Sequence, residues 1–591
     1  MEETVKLKKA KKTRVIPGFK LTMGITVTML SLIVLIPLAS VMVYSLKLPP
    51  SEFIKLITKQ NVVYAFTTSI VCSFIAAVIN VIFGVILAWT LVKYDFPGKR
   101  ILDGFIELPF ALPTAVAGIT LSKMYSDTGI LGKPLAAIGI KVSYTHLGII
   151  VALIFIGIPF VVRNVQPVLE KLDGQYEEAA YILGASPSKT FFKVILPELR
   201  PAILTGFGLA FARGIGEYGS VIYISGNSAK EHTQVVSYVI MQKLSYIDYA
   251  SATAIALVML VISFLLLFAI NVIQMKQAKR TKKKYSYNVK MADDKKRMGK
   301  DMNEQDKYQK RNKKTKYVLI TISVLFVFFM LVMPLFCIVS SSLKQGLGFY
   351  FKSVSSKYVV SALKVTLFAT VIAVVINTFF GLCAAWVTTK FSFKGKQVLA
   401  TLIDIPFSIS PVIVGLAFLM TFGRLGWFYP VIRWFNSVFG ANVRIAFAIP
   451  GVVLATIFVT FPFVSREIIP VLNAQGKDEE EAAALMGAGG FKIFFKITFP
   501  QIKWALIYGI ILCTSRALGE FGAVNALSKT RGETFTLPLE IDALYMSGTE
   551  SSITAAFAAS SILVIIAVVV LVLRNILEYR AKKKGQEQAA S

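Results

Sequence analysis

Uninterrupted apolar runs limit this chain more than any other feature of its sequence. Leu21 to Leu46, Tyr317 to Leu343 and Ser552 to Leu573 are each long enough for a helix rising 1.5 Å per residue to cross a hydrocarbon layer of about 30 Å. A lone strand would leave its backbone polar groups unpaired in lipid, and the runs are too continuous for the alternating strands of a barrel. Roughly six such segments stand in each half, about twelve in all, separated by loops carrying Lys, Arg, Pro or Gly. The expected fold is an all-α integral membrane protein. At 591 residues, 55% hydrophobic and 16% charged, with mean hydropathy +0.66, the chain is too apolar for a soluble globule. The first run is longer than a signal-peptide core and lacks a convincing small-residue cleavage site, so it reads as a retained span.

The formal charge of +31 raises the question of nucleic acid, and its location answers it. Basic residues gather in the amino-terminal tail (Lys6, Lys8, Lys9, Lys11, Lys12, Arg14), between Lys276 and Lys316, and from Arg580 to Lys584. An even number of spans per half puts these three regions on one side, which the positive-inside tendency makes cytoplasmic. No aromatic-interleaved recognition motif accompanies the lysines, so contact with anionic membrane lipid is expected and nucleic acid is not. Cys72, Cys337, Cys383 and Cys513 sit inside apolar segments and imply no disulfide framework. His146 and His232 are the only histidines, too few and too isolated for a metal site. No cofactor is implied. A membrane-embedded enzyme would need convergent His, Cys or carboxylate groups at one depth. No GxxxxGK[ST] loop occurs, so any ATP hydrolysis belongs to another chain.

The two halves repeat one plan. Asn80-Val-Ile-Phe-Gly84 is echoed by Asn377-Thr-Phe-Phe-Gly381, Ala88-Trp89 by Ala385-Trp386, and Leu108-Pro-Phe110 by Ile405-Pro-Phe407, each 297 positions on (109 to 406). Pro159-Phe-Val161 and Pro462-Phe-Val464 stand 303 apart (159 to 462), as do the segments opened by Arg213 and Arg516. The six extra residues fall in the loop before the fourth span, where insertions are tolerated. The division expected is a basic tail over 1–20, a first membrane domain over 21–275, a polar, mostly disordered linker over 276–316, a second membrane domain over 317–576 and a tail over 577–591. An even span count makes the repeat parallel, and the linker raises the effective concentration of one half for the other.

Each half carries one unusually polar loop, over about 170–198 and about 473–501. Glu178-Ala179-Ala180, Gly184, Val194 and Leu196-Pro197 recur at the same spacing as Glu481-Ala482-Ala483, Gly487, Ile497 and Phe499-Pro500. This reads as a short helix with a small Ala face, a glycine turn with positive φ, and a second short helix that proline separates from the next span. Ser186-Pro187 suit a helix start, whereas Ala488-Gly489-Gly490 make a weaker cap. The spacing resembles the EAA loop of bacterial ABC-importer permeases. The resemblance implies two tandem six-helix type I permease domains, whose loops dock in the clefts of an ATP-binding cassette ATPase dimer, with Glu178 and Glu481 near basic groups of that partner.

Arg213 with Glu217, and Arg516 with Glu520, lie deep in apolar segments. Four-residue spacing puts each pair on one helical face. Such charges either brace helix packing or line a route or gate, and both roles fit. Gly216, Gly219, Gly519 and Gly522 beside them allow close approach of another helix or a solute, and Ser220 stands next to Gly219. Gly216 to Asn227 resembles the T-type permease of sulfate/thiosulfate importers, and Arg516 to Val524 with Arg531 to Pro538 resembles the W-type partner and, less closely, molybdate permeases. The likeness covers nearly all of both halves and implies uptake of sulfate or thiosulfate delivered by an extracytoplasmic solute-binding protein. Asn525-Ala-Leu-Ser-Lys529 departs from the small Ser-Gly turn of the W-type pattern, and fusion is more familiar in iron and thiamine permeases. Importers of molybdate, tungstate or phosphonate remain alternatives, as does, outside this class, an ion-gradient-driven transporter.

Overall fold

The computed structural model describes residues 16–172, 174–266, 268–269, 272 and 313–590. The amino-terminal lysines and most of the expected linker therefore lie outside the described residues. The first half contains α1 (Phe19–Ser45), α2 (Gln60–Lys93), the bent pair α3 (Lys99–Ala111) and α4 (Thr114–Tyr125), then α5 (His146–Lys171). A surface helix α6 (Gln175–Ile182) leads into α7 (Pro187–Ile215) and α8 (Tyr249–Leu266). The second half repeats the order with α9 (Thr315–Ser342), α10 (Lys357–Lys390), α11 (Lys396–Ser408), α12 (Pro411–Phe422) and α13 (Ile449–Gln475). It closes with α14 (Asp478–Leu485), α15 (Gly490–Leu518) and α16 (Glu550–Leu577). Among the described residues, ten helices are long and apolar enough to cross a membrane, twelve crossings if each bent pair counts as one. This is the two-domain helical membrane fold expected from the apolar runs.

The third crossings are broken, at 110° between α3 and α4 and 106° between α11 and α12. Leu112 precedes Pro113 and Ser410 precedes Pro411, and a residue before proline is driven out of the helical region. Leu112 is accordingly extended, at φ −83° and ψ 129°, and Ser410 at φ −57° and ψ 130°. Each break lies at the contact between the two halves, where Gly216 after α7 and Gly519 after α15 meet it.

Within each half, packing follows from small residues, because lipid gives apolar side chains no reason to leave it. Gly84 of α2 lies so close to α5 that an added Cβ would stand 2.7 Å from Val161, and Gly381 of α10 would meet Val464 of α13 at the same distance. Between the same helices the Asn377 amide donates to Ile457 O at 3.1 Å and Thr460 Oγ1 at 2.8 Å, while Asn80 reaches Leu153 O at 3.5 Å. The repeated Asn-to-Gly motif is thus one device, an amide bond and a close approach one turn apart.

The halves exchange their first helices. α1 packs on α10 and α12, and α9 packs on α2 and α4. Ser40 and Thr421 share a buried hydrogen bond of 2.8 Å, Ser323 donates to Thr90 at 3.0 Å, and Lys123 donates to Ser341 at 2.7 Å. Helix already begins at Lys313 and continues past Leu577 to Ala590. The insertion between the copies becomes a helix over Tyr429–Phe439, against a shorter Gly132–Ala137 in the first half.

Gly84→Leu or Gly381→Leu should each lower stability by about 1–3 kcal/mol through overpacking, whereas Gly348→Ala, whose added carbon meets nothing within 4 Å, should leave it unchanged. Thermal unfolding in detergent reads both; equal effects at all three sites would contradict the packing described.

Candidate functional site

At the end of α7 the Arg213 guanidinium meets the Glu217 carboxylate at 2.7 Å, and at the end of α15 Arg516 meets Glu520 at 2.7 Å. The i,i+4 spacing read from sequence therefore closes into ion pairs in both halves. The carboxylates are 1% exposed and the arginines 12% and 13%. Each carboxylate divides its oxygens between two tasks. One oxygen faces the guanidinium; the other accepts the Ser220 N–H at 3.1 Å and hydroxyl at 3.2 Å in the first half, and the Ala523 N–H at 3.0 Å in the second. The glutamates thus hold the turn after the helix as well as the charge, which places Ser220 in the site.

Both arginines line one central cavity of about 40 Å³ between the halves, room for roughly one to three waters. Pro109 and Phe110 contribute from α3, Phe160 from α5, and Pro406, Phe407 and Phe463 from their counterparts. On one side of it the rings form a chain, with centroids 5.1 Å apart from Phe110 to Phe160, 5.4 Å from Phe160 to Phe407 and 5.3 Å from Phe407 to Phe463. Beyond the Arg–Glu pairs along the chain, the equivalent rings of Tyr218 and Phe521 stack across the two halves at 5.9 Å and 10°. Arg213 Nη1 is buried and makes no hydrogen bond among the described residues. A guanidinium N–H placed so is a donor available to an oxyanion.

The glycines named from sequence lie at these contacts. A Cβ on Gly216 would meet Ser410 at 3.0 Å, and one on Gly519 would meet Pro113 at 3.1 Å, each the proline break of the opposite half. On Gly219 it would strike Thr114 at 2.2 Å, and on Gly522 it would meet Pro411 at 2.9 Å. The site is therefore where two helix ends and two broken helices interlock about a pseudo-twofold axis.

A second charged cluster escaped sequence reading. Glu107 of α3, 1% exposed, meets Arg163 of α5 at 2.6 Å, pairs with Arg574 of α16, and accepts the Tyr508 hydroxyl of α15 at 3.1 Å. It thereby joins the two halves. In the second half Asp404 meets Arg466 at 2.8 Å, and that guanidinium lies 4.4 Å over Phe407. The available signal was the repeat itself, since 107 to 404 and 163 to 466 keep the displacements of the neighbouring motifs.

The EAA loops show the expected turn. Gly184 has φ +76° and Gly487 φ +82°, which a residue with a Cβ rarely adopts. Ser186 accepts the Lys189 N–H at 3.3 Å as a helix cap, and Gly489 supplies no such bond. Of each alanine pair, Ala179 and Ala482 face outward, but Ala180 and Ala483 are buried, so one alanine per loop packs on its own chain. Glu178 is exposed, while Glu481 already pairs with Lys477 at 3.1 Å. The helix after the glycine turn is not cut off from the span: Pro187–Ile215 and Gly490–Leu518 are continuous. A wider turn over Phe191–Ile195, and its copy Phe494–Thr498, carries the helix past Pro197 and Pro500, where a regular turn would need the missing N–H. The tips present exposed Ile182, Leu183, Leu485 and Met486, at 77%, 86%, 78% and 81%.

Arg213→Gln alone should destabilise by about 3–5 kcal/mol because it strands a buried carboxylate, and Arg213→Gln with Glu217→Gln should recover most of that loss. Thermal unfolding in detergent decides, and a double variant as unstable as the single one would contradict the pairing.

Comparison with known proteins identifies the architecture. The family described as "Binding-protein-dependent transport system inner membrane component" matches twice, over residues 80–283 and 377–583. Sulfate transport system permease protein CysT of Escherichia coli is 47% identical over 267 residues, covering 45% of this chain and 96% of that protein. Sulfate transport system permease protein CysW of Escherichia coli is 40% identical over 277 residues, covering 46% and 92%, and its Synechocystis namesake is 40% identical over 268 residues, covering 45% and 94%. Each relative thus corresponds in length to about half of this chain. The chain belongs to the binding-protein-dependent transport system inner membrane component family and is a multi-pass permease subunit of the cytoplasmic membrane, not an enzyme, with two copies of that component in one polypeptide.

Proposed function

We propose that this permease imports sulfate or thiosulfate, delivered by an extracytoplasmic solute-binding protein and driven by a dimer of separate ATP-binding cassette subunits. The observation that carries the substrate reading is the pair of arginines on one cavity, each neutralised by a glutamate that spends one oxygen elsewhere. A tetrahedral dianion asks for N–H donors, and Arg213 Nη1 offers one on the cavity that Arg516 also lines. The near-neutral site gives weak attraction, as a pathway that must release its cargo requires. The sulfate transport named for the relatives agrees with it.

In this reading Glu178, Ala179, Ala180, Gly184 and Pro197, with Glu481, Ala482, Ala483, Gly487 and Pro500, form the two docking loops for the cassettes. Their exposed tips fit apolar clefts, and closure of the cassette dimer moves both loops together and switches the cavity between its two openings. Arg213, Gly216, Glu217, Gly219 and Ser220, with Arg516, Gly519, Glu520 and Gly522, form the gate and route. Both termini and the linker lie on the cytoplasmic side with the EAA loops, where the basic residues concentrate.

Reconstituted with its cassette and binding protein, the chain should import radiolabelled sulfate, with unlabelled sulfate and thiosulfate competing. Neutralising both pairs (Arg213→Gln, Glu217→Gln, Arg516→Gln, Glu520→Gln) should leave it folded and cassette-bound while import falls at least about tenfold. Full import by that variant contradicts the route, and accumulation of molybdate, tungstate or a phosphonate without sulfate contradicts the substrate.

A further inference from the structure

The repeated Ala-Trp motif is left unexplained by the cavity and by the loop tips, and the structure places it where the loops meet the membrane helices. Trp89 near the end of α2 packs edge-on against Phe191 at 5.3 Å, and Trp386 near the end of α10 packs edge-on against Phe494 at 5.7 Å. One turn further, Lys93 pairs with Glu177 of α6. In the second half Lys390 pairs with Glu480 of α14 at 2.5 Å, with side chains 1% and 3% exposed. Lys390 Nζ also donates to Gly476 O at 2.6 Å, where α13 ends, and Glu480 accepts the Thr498 hydroxyl at 3.0 Å. The acidic residues that tie the loops to their own chain are therefore Glu177 and Glu480, one position before the Glu178 and Glu481 singled out in the sequence.

We infer that Lys93 with Glu177, and Lys390 with Glu480, are positioning pairs that make the second span of each half the lever through which loop movement reaches the cavity. This rests on the proposed role of the loops. Three observations support it. The pair and the Trp–Phe contact are kept in both halves at the repeat displacements. They hold each loop at two points on either side of its glycine turn, a charge on α6 or α14 and a ring at the start of α7 or α15, and two points transmit a rotation where one acts as a swivel. The lever then continues to the site: in the first half α2 lies against α7, where a Cβ on Gly214, next to Arg213, would stand 3.0 Å from Ser73 Oγ of α2. Lys390 and Glu480 are shielded from solvent, so the second-half strut holds its geometry without water to loosen it.

The test measures sulfate imported per ATP hydrolysed, together with ATP hydrolysis stimulated by the loaded binding protein, in proteoliposomes containing the full chain, cassette and binding protein. A neutral variant (Lys93→Met, Glu177→Gln, Lys390→Met, Glu480→Gln) should remain folded and cassette-bound but lose both quantities by roughly tenfold. A charge-swapped variant (Lys93→Glu, Glu177→Lys, Lys390→Glu, Glu480→Lys) should regain more than half of the loss. An unchanged ratio in the neutral variant overturns the lever. So does a swapped variant no better than the neutral one, or equal loss of folded chain in both, which would make the pairs structural only. Failure of the wild-type chain to import sulfate while its ATP hydrolysis responds to a loaded binding protein overturns the substrate reading instead, and the stimulation then reads the lever.

Discussion

A charge in hydrocarbon must be met by an opposite charge or by water, and this constraint places most of what is distinctive in the structure. Arg213 and Arg516 can stand at the axis only because Glu217 and Glu520 stand one turn away at 2.7 Å. Glu107 can be buried only because Arg163 and Arg574 reach it from two directions. Breaking such a pair costs more than forming it gains, so the positions of these groups are fixed tightly. The consequence is geometric: the pair of Glu107 with Arg574 also sets where the two halves touch.

Around that axis the duplication gives symmetry, and the exchange of first helices makes it one body. With α1 on the second half and α9 on the first, neither half completes its own packing. The small residues at the crossing, Gly216 on Ser410 and Gly519 on Pro113, permit the closest approach where movement must pass. The symmetry is imperfect in ways that bear on use. Glu107 is tied across to Arg574 and Tyr508, whereas its counterpart Asp404 is more open, at 44% exposure. Lys390 and Glu480 are sealed while Lys93 and Glu177 are about one-fifth exposed. The two loops are thus held by the same chemistry at different stiffness.

Much of this was legible in the residues because the signals were local or repeated. Span length follows from apolar runs, the i,i+4 Arg–Glu pairs follow from helical spacing, and positive φ at Gly184 and Gly487 follows from what glycine permits. Other features depend on contacts between distant segments. The bends in the third crossings were foreshadowed by Pro113 and Pro411, but their angles are set by the opposite half packing into the break. Glu107 and Arg163 stand beside repeated apolar motifs in the sequence, and only the fold brings Arg574 to Glu107. The helix that continues through Pro197 depends on a widened turn that residue identity does not announce. Ile182, Leu183, Leu485 and Met486 are ordinary apolar residues until the fold leaves them uncovered.

On the proposed function, the two EAA loops are drawn toward one another when the cassettes close, and this movement opens and shuts the arginine-lined cavity. Spin labels at Leu183→Cys and Met486→Cys, on the exposed loop tips of a chain free of native cysteines, report the separation of the loops in the assembled transporter in lipid nanodiscs. The expected result is a shorter distance with ATP and loaded binding protein than without nucleotide, and a return after hydrolysis. A distance distribution that is the same in all three conditions would contradict it.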